Sequence, residues 1–146
     1  MTDPKRIFVD TSAWIEHLLE KEIHHKKISD YLIKEVRAGS KFFTSDYVLD
    51  ETFTRLVTNQ SIIDAKNFKH YITEAERQRN LLVLFTDEVI FNKAWEIFIK
   101  FSEHKLSFTD ASIVSYVRDL KIDEILTLDR GFMKVGLTVK PTLRIA

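Results

Sequence analysis

The feature that most constrains this chain is its rhythm. Five strand-length runs, Ile7 to Val9, Phe42-Phe43-Thr44, Leu81 to Phe85, Glu124 to Leu128 and Thr138 to Lys140, alternate with segments of helical patterning. The longer runs are apolar without alternation, which suits strands covered on both faces rather than one. Helix-length segments between them supply the crossovers that parallel strands need. The expected fold class is therefore α/β, a three-layer α/β/α sandwich with a parallel central sheet. The chain has 146 residues with three glycines and two prolines, so it fits one domain (1–146) around one core, with little room for linkers.

Punctuation supports the helices. Ser12 to Leu19 and Lys26 to Ala38 are expected to be helical, the second stopped by Gly39. Ser45-Asp46 offers a cap for a helix to about Thr58, and Ser61 with Asp64 resembles a capping box for a helix to about Arg79. Thr86-Asp87 caps a helix to about Phe101, Ser107 with Asp110 caps one to about Leu120, and Arg130 to Lys134 reads as a helical turn. Trp14 and Trp95 fall on amphipathic helices and are expected in a core or an interface.

Composition removes several chemistries. With no cysteine there are no disulfides, thiolate-zinc sites or thiol nucleophiles. Lys5-Arg6 precede a run that ends at Asp10, unlike a secretory signal, and no run approaches membrane-spanning length. A cytoplasmic protein with no membrane contact is expected. Net charge is zero, so any nucleic-acid binding needs a local site. The basic clusters Lys26, Lys27, Lys34, Arg37 and Lys66, Lys69, Arg77, Arg79 read first as solvated helix faces. The histidines lack ligand spacing, Ser12 lies in no nucleophile elbow, and there is no glycine-rich phosphate loop.

What remains is acidic. Asp10 and Asp129 each close a strand run, and ligands of parallel sheets bind beyond the carboxyl ends of strands. Thr11 and Ser12 are equally good helix caps, so capping alone does not require Asp10. Thr127 is expected to share a strand face with Asp129. Asp110 completes a capping arrangement, yet at 100° per residue it falls beside Val114 and Val117 on an apolar stripe, where a carboxylate loses hydration. Glu51 falls away from the inward stripe of its helix and reads as an exposed glutamate, with Asp50 an equal competitor. Clustered, four carboxylates repel one another unless a cation neutralises them, and Mg²⁺ or Mn²⁺ suits an all-oxygen set.

Four stretches in order, Val9-Asp10-Thr11-Ser12, Ser45 through Glu51, Phe108-Thr109-Asp110-Ala111-Ser112-Ile113, and Leu126 through Phe132, resemble the motifs of a PIN domain. The resemblance spans essentially the whole chain and extends to small VapC-type toxins. It implies a metal-dependent endoribonuclease that cuts phosphodiester bonds with a metal-activated water. It makes Glu51 rather than Asp50 the second acid, giving a site of Asp10, Glu51, Asp110 and Asp129. Asp10, Asp110 and Asp129 would bind Mg²⁺ (or Mn²⁺), with Glu51 in an outer role, and Thr11, Ser12, Thr127 and Arg130 would meet substrate. The implied partners are RNA, a small antitoxin protein and a second copy of the chain. Two competing readings are a PIN-like scaffold that binds RNA or protein without cutting and a phosphatase or receiver-type domain. The latter needs a lysine and a phosphorylatable Asp in motifs that this sequence does not show.

Overall fold

The computed structural model describes residues 3–143. Five strands, β1 (Arg6–Val9), β2 (Lys41–Ser45), β3 (Leu81–Leu84), β4 (Glu124–Leu126) and β5 (Val139–Lys140), form one sheet in the order β3-β2-β1-β4-β5. Every pairing is parallel, with Phe8 opposite Phe43 on one side and Ile125 on the other. Six α-helices connect them: α1 (Thr11–Leu18), α2 (His25–Arg37), α3 (Asp46–Asn59), α4 (Ile62–Arg77), α5 (Glu88–Lys100) and α6 (Phe108–Asp119). Helix α1 packs on α2 and α3, α3 packs on α4, and α5 packs on α6. The sheet is flanked by these helices as the middle layer of the expected three-layer sandwich.

Side-chain chemistry sets the boundaries. Ser45, Ser61, Asp87 and Ser107 each accept a backbone N–H from the first turn of the following helix, which satisfies a donor that the helix cannot. The core is built on β1, where Ile7, Phe8 and Val9 are fully buried, and it extends to Phe68 and Ile72 of α4, Ile113 of α6 and Phe132. Trp14 joins it, its indole N–H donating to Thr44 Oγ1 at 3.2 Å, whereas Trp95 is 53% exposed.

The expectation that all the apolar strands are covered on both faces fails at β3. It is an edge strand, and Leu82 and the following Phe85 are 54% and 73% exposed. A continuous apolar run reports strand character but not position in the sheet, because sheet order is set by the crossovers.

Those crossovers also place the site. From β1 the chain steps to β2 and β3 on one side, then returns to lay β4 on the other side of β1. The strand order thus reverses between β1 and β4, the switch point at which parallel sheets open a crevice beyond their carboxyl ends. Asp10 leaves the sheet directly from β1, but β4 ends at Leu126 rather than Leu128, so Asp129 lies past the strand and meets Thr127 in a turn instead of on a shared strand face.

Candidate active site

Asp10 is buried, and its backbone still belongs to the sheet, with its N–H donating to the Leu126 carbonyl at 3.1 Å. Its side chain turns back to cap α1: Oδ1 accepts the Thr11 N–H at 2.8 Å. The expectation that Thr11 or Ser12 could take the cap is thereby corrected, because both hydroxyls are engaged elsewhere. Thr11 Oγ1 lies 3.3 Å from the Val48 carbonyl and from Glu51 Oε2, which ties α1 to α3. Ser12 Oγ accepts the Leu128 N–H at 2.9 Å and stands 3.1 Å from Thr127 Oγ1.

Proton accounting gives that last contact a direction. Thr127 Oγ1 donates its single proton to Asp10 Oδ2 at 2.8 Å, so it must accept from Ser12. It also accepts the Asp129 N–H at 3.0 Å. One hydroxyl therefore registers the loop after β4 against the acid after β1. Both oxygens of Asp10 act as acceptors, the role of an ionised carboxylate. Against this, burial above all pushes the carboxyl up to about 7; the bonds from Thr11 and Thr127 oppose the shift, and the nearby charges of Asp110 and Glu51 add to it.

Asp110 does two things at once. Its Oδ2 accepts the Ser107 N–H at 3.1 Å while Ser107 Oγ accepts the Asp110 N–H at 3.0 Å, a reciprocal capping box at the start of α6. Burial raises its pKa, and the charges of Asp129 and Glu51 raise it further. That shift accords with the expected loss of hydration beside Val114 and Val117, but the expected single apolar stripe is absent: Ala111 to Val117 are all buried, and α6 opens only at its two ends, at half-buried Phe108 to Asp110 and at exposed Arg118 and Asp119.

Glu51 is half-exposed, as its place off the core stripe of α3 requires, but it borders the acid pocket. Its Oε1 accepts from the Arg55 guanidinium at 2.9 Å, four residues on along α3. Sequence reasoning passed over Arg55; the spacing of four from Glu51 was the available signal. Asp129 is exposed and holds its own turn, Oδ1 accepting the Gly131 N–H at 2.8 Å. A Cβ on Gly131 would sit 2.9 Å from that oxygen, so a larger residue there would displace the carboxylate.

Asp10, Thr11, Ser12, Glu51, Arg55, Ser107, Asp110 and Asp129 line one cavity of ≈ 280 Å³. All four sequence-selected acids thus border one space, together with a single cation. Thr127 stands behind it, bonded to Asp10. Arg130 is placed differently: its guanidinium donates to the carbonyls of Thr127 at 2.6 Å and Pro141 at 2.9 Å, and it does not line the cavity. That side chain fastens the loop after β4 to the segment after β5. Among the described residues no three acidic or histidine side chains converge into a ready metal cage. The donor set still fits a hard cation that retains several waters, as Mg²⁺ does, held by one or two carboxylates and completed by substrate.

A sequence profile of the PIN domain matches residues 7–137, which contain all four acids. This chain belongs to the PIN domain family. Comparison with curated proteins gives no match. Among solved structures it resembles Mycobacterium tuberculosis VapC20, described as a Sarcin-Ricin loop cleaving toxin, at 24% identity and a TM-score of 0.78 over 90% of this chain and 96% of that one. It also resembles VapBC-1 from nontypeable Haemophilus influenzae, at 14% identity and a TM-score of 0.66 over 92% and 96%. VapBC2 from Rickettsia felis, bound to a DNA fragment from its promoter, gives 11% and 0.66 over 92% and 97%. At such identities the likeness establishes the fold. No helix among the described residues of this PIN domain is long and apolar enough to cross a membrane.

Proposed function

We propose that the protein is a metal-dependent endoribonuclease that hydrolyses RNA phosphodiester bonds, and that it is the toxin of a toxin–antitoxin pair. The observation that carries this reading is the meeting of four carboxylates, from four separate parts of the chain, in one crevice at the β1/β4 switch point. A scaffold that only binds has no need to hold an acid such as Asp10 where burial and like charge oppose its ionised form.

Asp10, Asp110 and Asp129 would hold Mg²⁺ or Mn²⁺, with Glu51 at the edge of the set. The bound ion would supply Lewis acidity toward water and phosphate oxygen and charge neutralisation in the crevice. The chain's own residues do the rest. The Thr11 N–H and the Ser12–Thr127 hydroxyl relay fix the Asp10 carboxylate in one orientation. The capping box leaves Asp110 Oδ1 without a hydrogen bond among the described residues, free to face the crevice. Water attacks phosphorus in line and gives up a proton as the P–O bond forms, the bond to the leaving sugar oxygen breaks, and that oxygen takes up a proton, so the step is proton-neutral. With no histidine lining the pocket, a carboxylate or solvent must carry that proton.

The partners follow from the same reading. RNA is the substrate, and the description of VapC20 makes the Sarcin-Ricin loop the first target to try. The complexes among the similar structures support a small antitoxin as partner. Phe91, Trp95 and Ile99, exposed along one side of α5 at spacings of four, support association with a second copy. A cytoplasmic site of action accords with RNA as substrate.

The test is incubation of purified protein with total RNA in Mg²⁺, in Mn²⁺ and after chelation. Cleavage is expected with either ion and is expected to fall to background in chelator. Cleavage that persists in chelator would rule out the mechanism, and RNA bound but uncut under all conditions would favour the scaffold reading.

A further inference from the structure

A second cavity of ≈ 360 Å³ adjoins the acid pocket and shares Glu51, Arg55 and Ser107 with it; Tyr47, Thr54 and Thr109 form much of the remaining lining. Its size falls in the range that accepts small organic groups, roughly 300–1,000 Å³. We propose that this cavity seats the nucleotide next to the scissile phosphate, and that Arg55 binds that nucleotide's backbone phosphate. The proposal rests on the ribonuclease reading of the acid pocket.

Charge is the first argument. RNA is a polyanion and the acid pocket presents four carboxylates, so the strand needs a positive contact at the point where it enters or leaves. Arg55 is the one cation that lines either cavity, and it stands at their junction. Its planar fork of donors matches phosphate oxygens. Its present partner holds it weakly: Arg55 and Glu51 are 49% and 38% exposed, and ion pairs open to solvent to that extent contribute little. Exchange from Glu51 to phosphate therefore costs little and frees Glu51 toward the acid pocket.

The lining of the cavity suits a base and sugar. Tyr47 packs against Phe108 with ring centroids 6.3 Å apart and offers a half-buried aromatic wall. Unpaired bases stack on such surfaces without regard to sequence. The hydroxyls of Tyr47, Thr54 and Thr109 make no hydrogen bond among the described residues and are free for base edges or a 2′-hydroxyl. Asp50 also lines the cavity, which disfavours a second phosphate and limits the subsite to one nucleotide.

The experiment measures steady-state cleavage of a short single-stranded RNA of mixed sequence in Mg²⁺ at several NaCl concentrations, for wild type, Arg55→Gln and Arg55→Lys. Arg55→Gln is expected to raise KM about tenfold with kcat within about threefold. It is also expected to reduce the slope of log(1/KM) against log[NaCl] by about 0.7, the loss of one single-strand phosphate contact. Arg55→Lys, which keeps the charge, is expected to retain most of the slope. An unchanged KM and slope in Arg55→Gln, or a fall in kcat alone, would overturn the subsite. Fluorescence anisotropy with the same RNA, labelled, separates this proposal from the reading beneath it. Wild type that cuts nothing yet binds much more tightly than Arg55→Gln loses the ribonuclease reading and keeps only Arg55 as an RNA phosphate contact. Metal-dependent cutting with equal binding by the two proteins does the reverse.

Discussion

Asp10→Asn is expected to reduce RNA cleavage by at least about a thousandfold, which corresponds to roughly 4 kcal/mol of lost transition-state stabilisation. The change removes one negative charge from the most deeply held member of the acid set and alters little else. An asparagine oxygen can still accept the Thr11 N–H that Asp10 Oδ1 accepts now. Its amide would donate to Thr127 Oγ1, and the Ser12–Thr127 contact can reverse direction to accommodate it. The fold should therefore survive, as circular dichroism and the unfolding transition can verify. Activity within about tenfold of wild type would mean that Asp10 is a helix cap and nothing more.

The second large effect concerns pH in the absence of metal. An Asp in the unfolded chain titrates near 3.9. In the folded protein burial above all pushes the Asp10 carboxyl up to about 7. Between these values the native state holds a proton that the unfolded state has released, so stability falls as pH rises. The contribution is complete below about pH 4 and is lost as pH climbs through about 7, with an upper bound of about 4 kcal/mol at 1.4 kcal/mol per unit. Asp110, also raised, acts in the same direction. The stability of Asp10→Asn minus that of wild type is therefore expected to grow from pH 5 to pH 8 in chelator, read by denaturant unfolding. Mg²⁺ should raise the wild-type transition more at pH 8 than at pH 5, because only the ionised site binds it well. A difference that is flat with pH, or one that shrinks, would contradict the burial argument.

Much of this was legible in the chain, for identifiable reasons. Strand ends and helix caps are local, so Asp10 and the Ser107–Asp110 box were legible in the sequence, and the parallel sheet followed from the crossovers between apolar runs; Asp129 was placed at a strand end, whereas β4 stops at Leu126 and Asp129 caps the turn beyond it. Glu51 could not be placed locally. Reading α3 by its core stripe sorts residues into inward and outward, and a site at the mouth of a crevice is neither. The same blindness hid Arg55, whose importance depends on where α3 lies relative to α6. The exposure of Leu82 on β3 was hidden too, because edge position comes from strand order. Arg130 was assigned to substrate by the family resemblance, whereas its guanidinium donates to two carbonyls that brace the loop.

The central claim is that four carboxylates from separate elements act as one cation site. Calorimetric titration of Mn²⁺ into metal-free protein addresses it without reference to any RNA. Saturable binding is expected for wild type and Arg55→Gln, the latter equal or tighter because a nearby positive charge is gone. In Asp10→Asn and Asp110→Asn the affinity is expected to fall by at least about tenfold, one lost charge–ligand interaction each. Equal Mn²⁺ binding by wild type and both acid variants would show that the acids do not work together as a cation site.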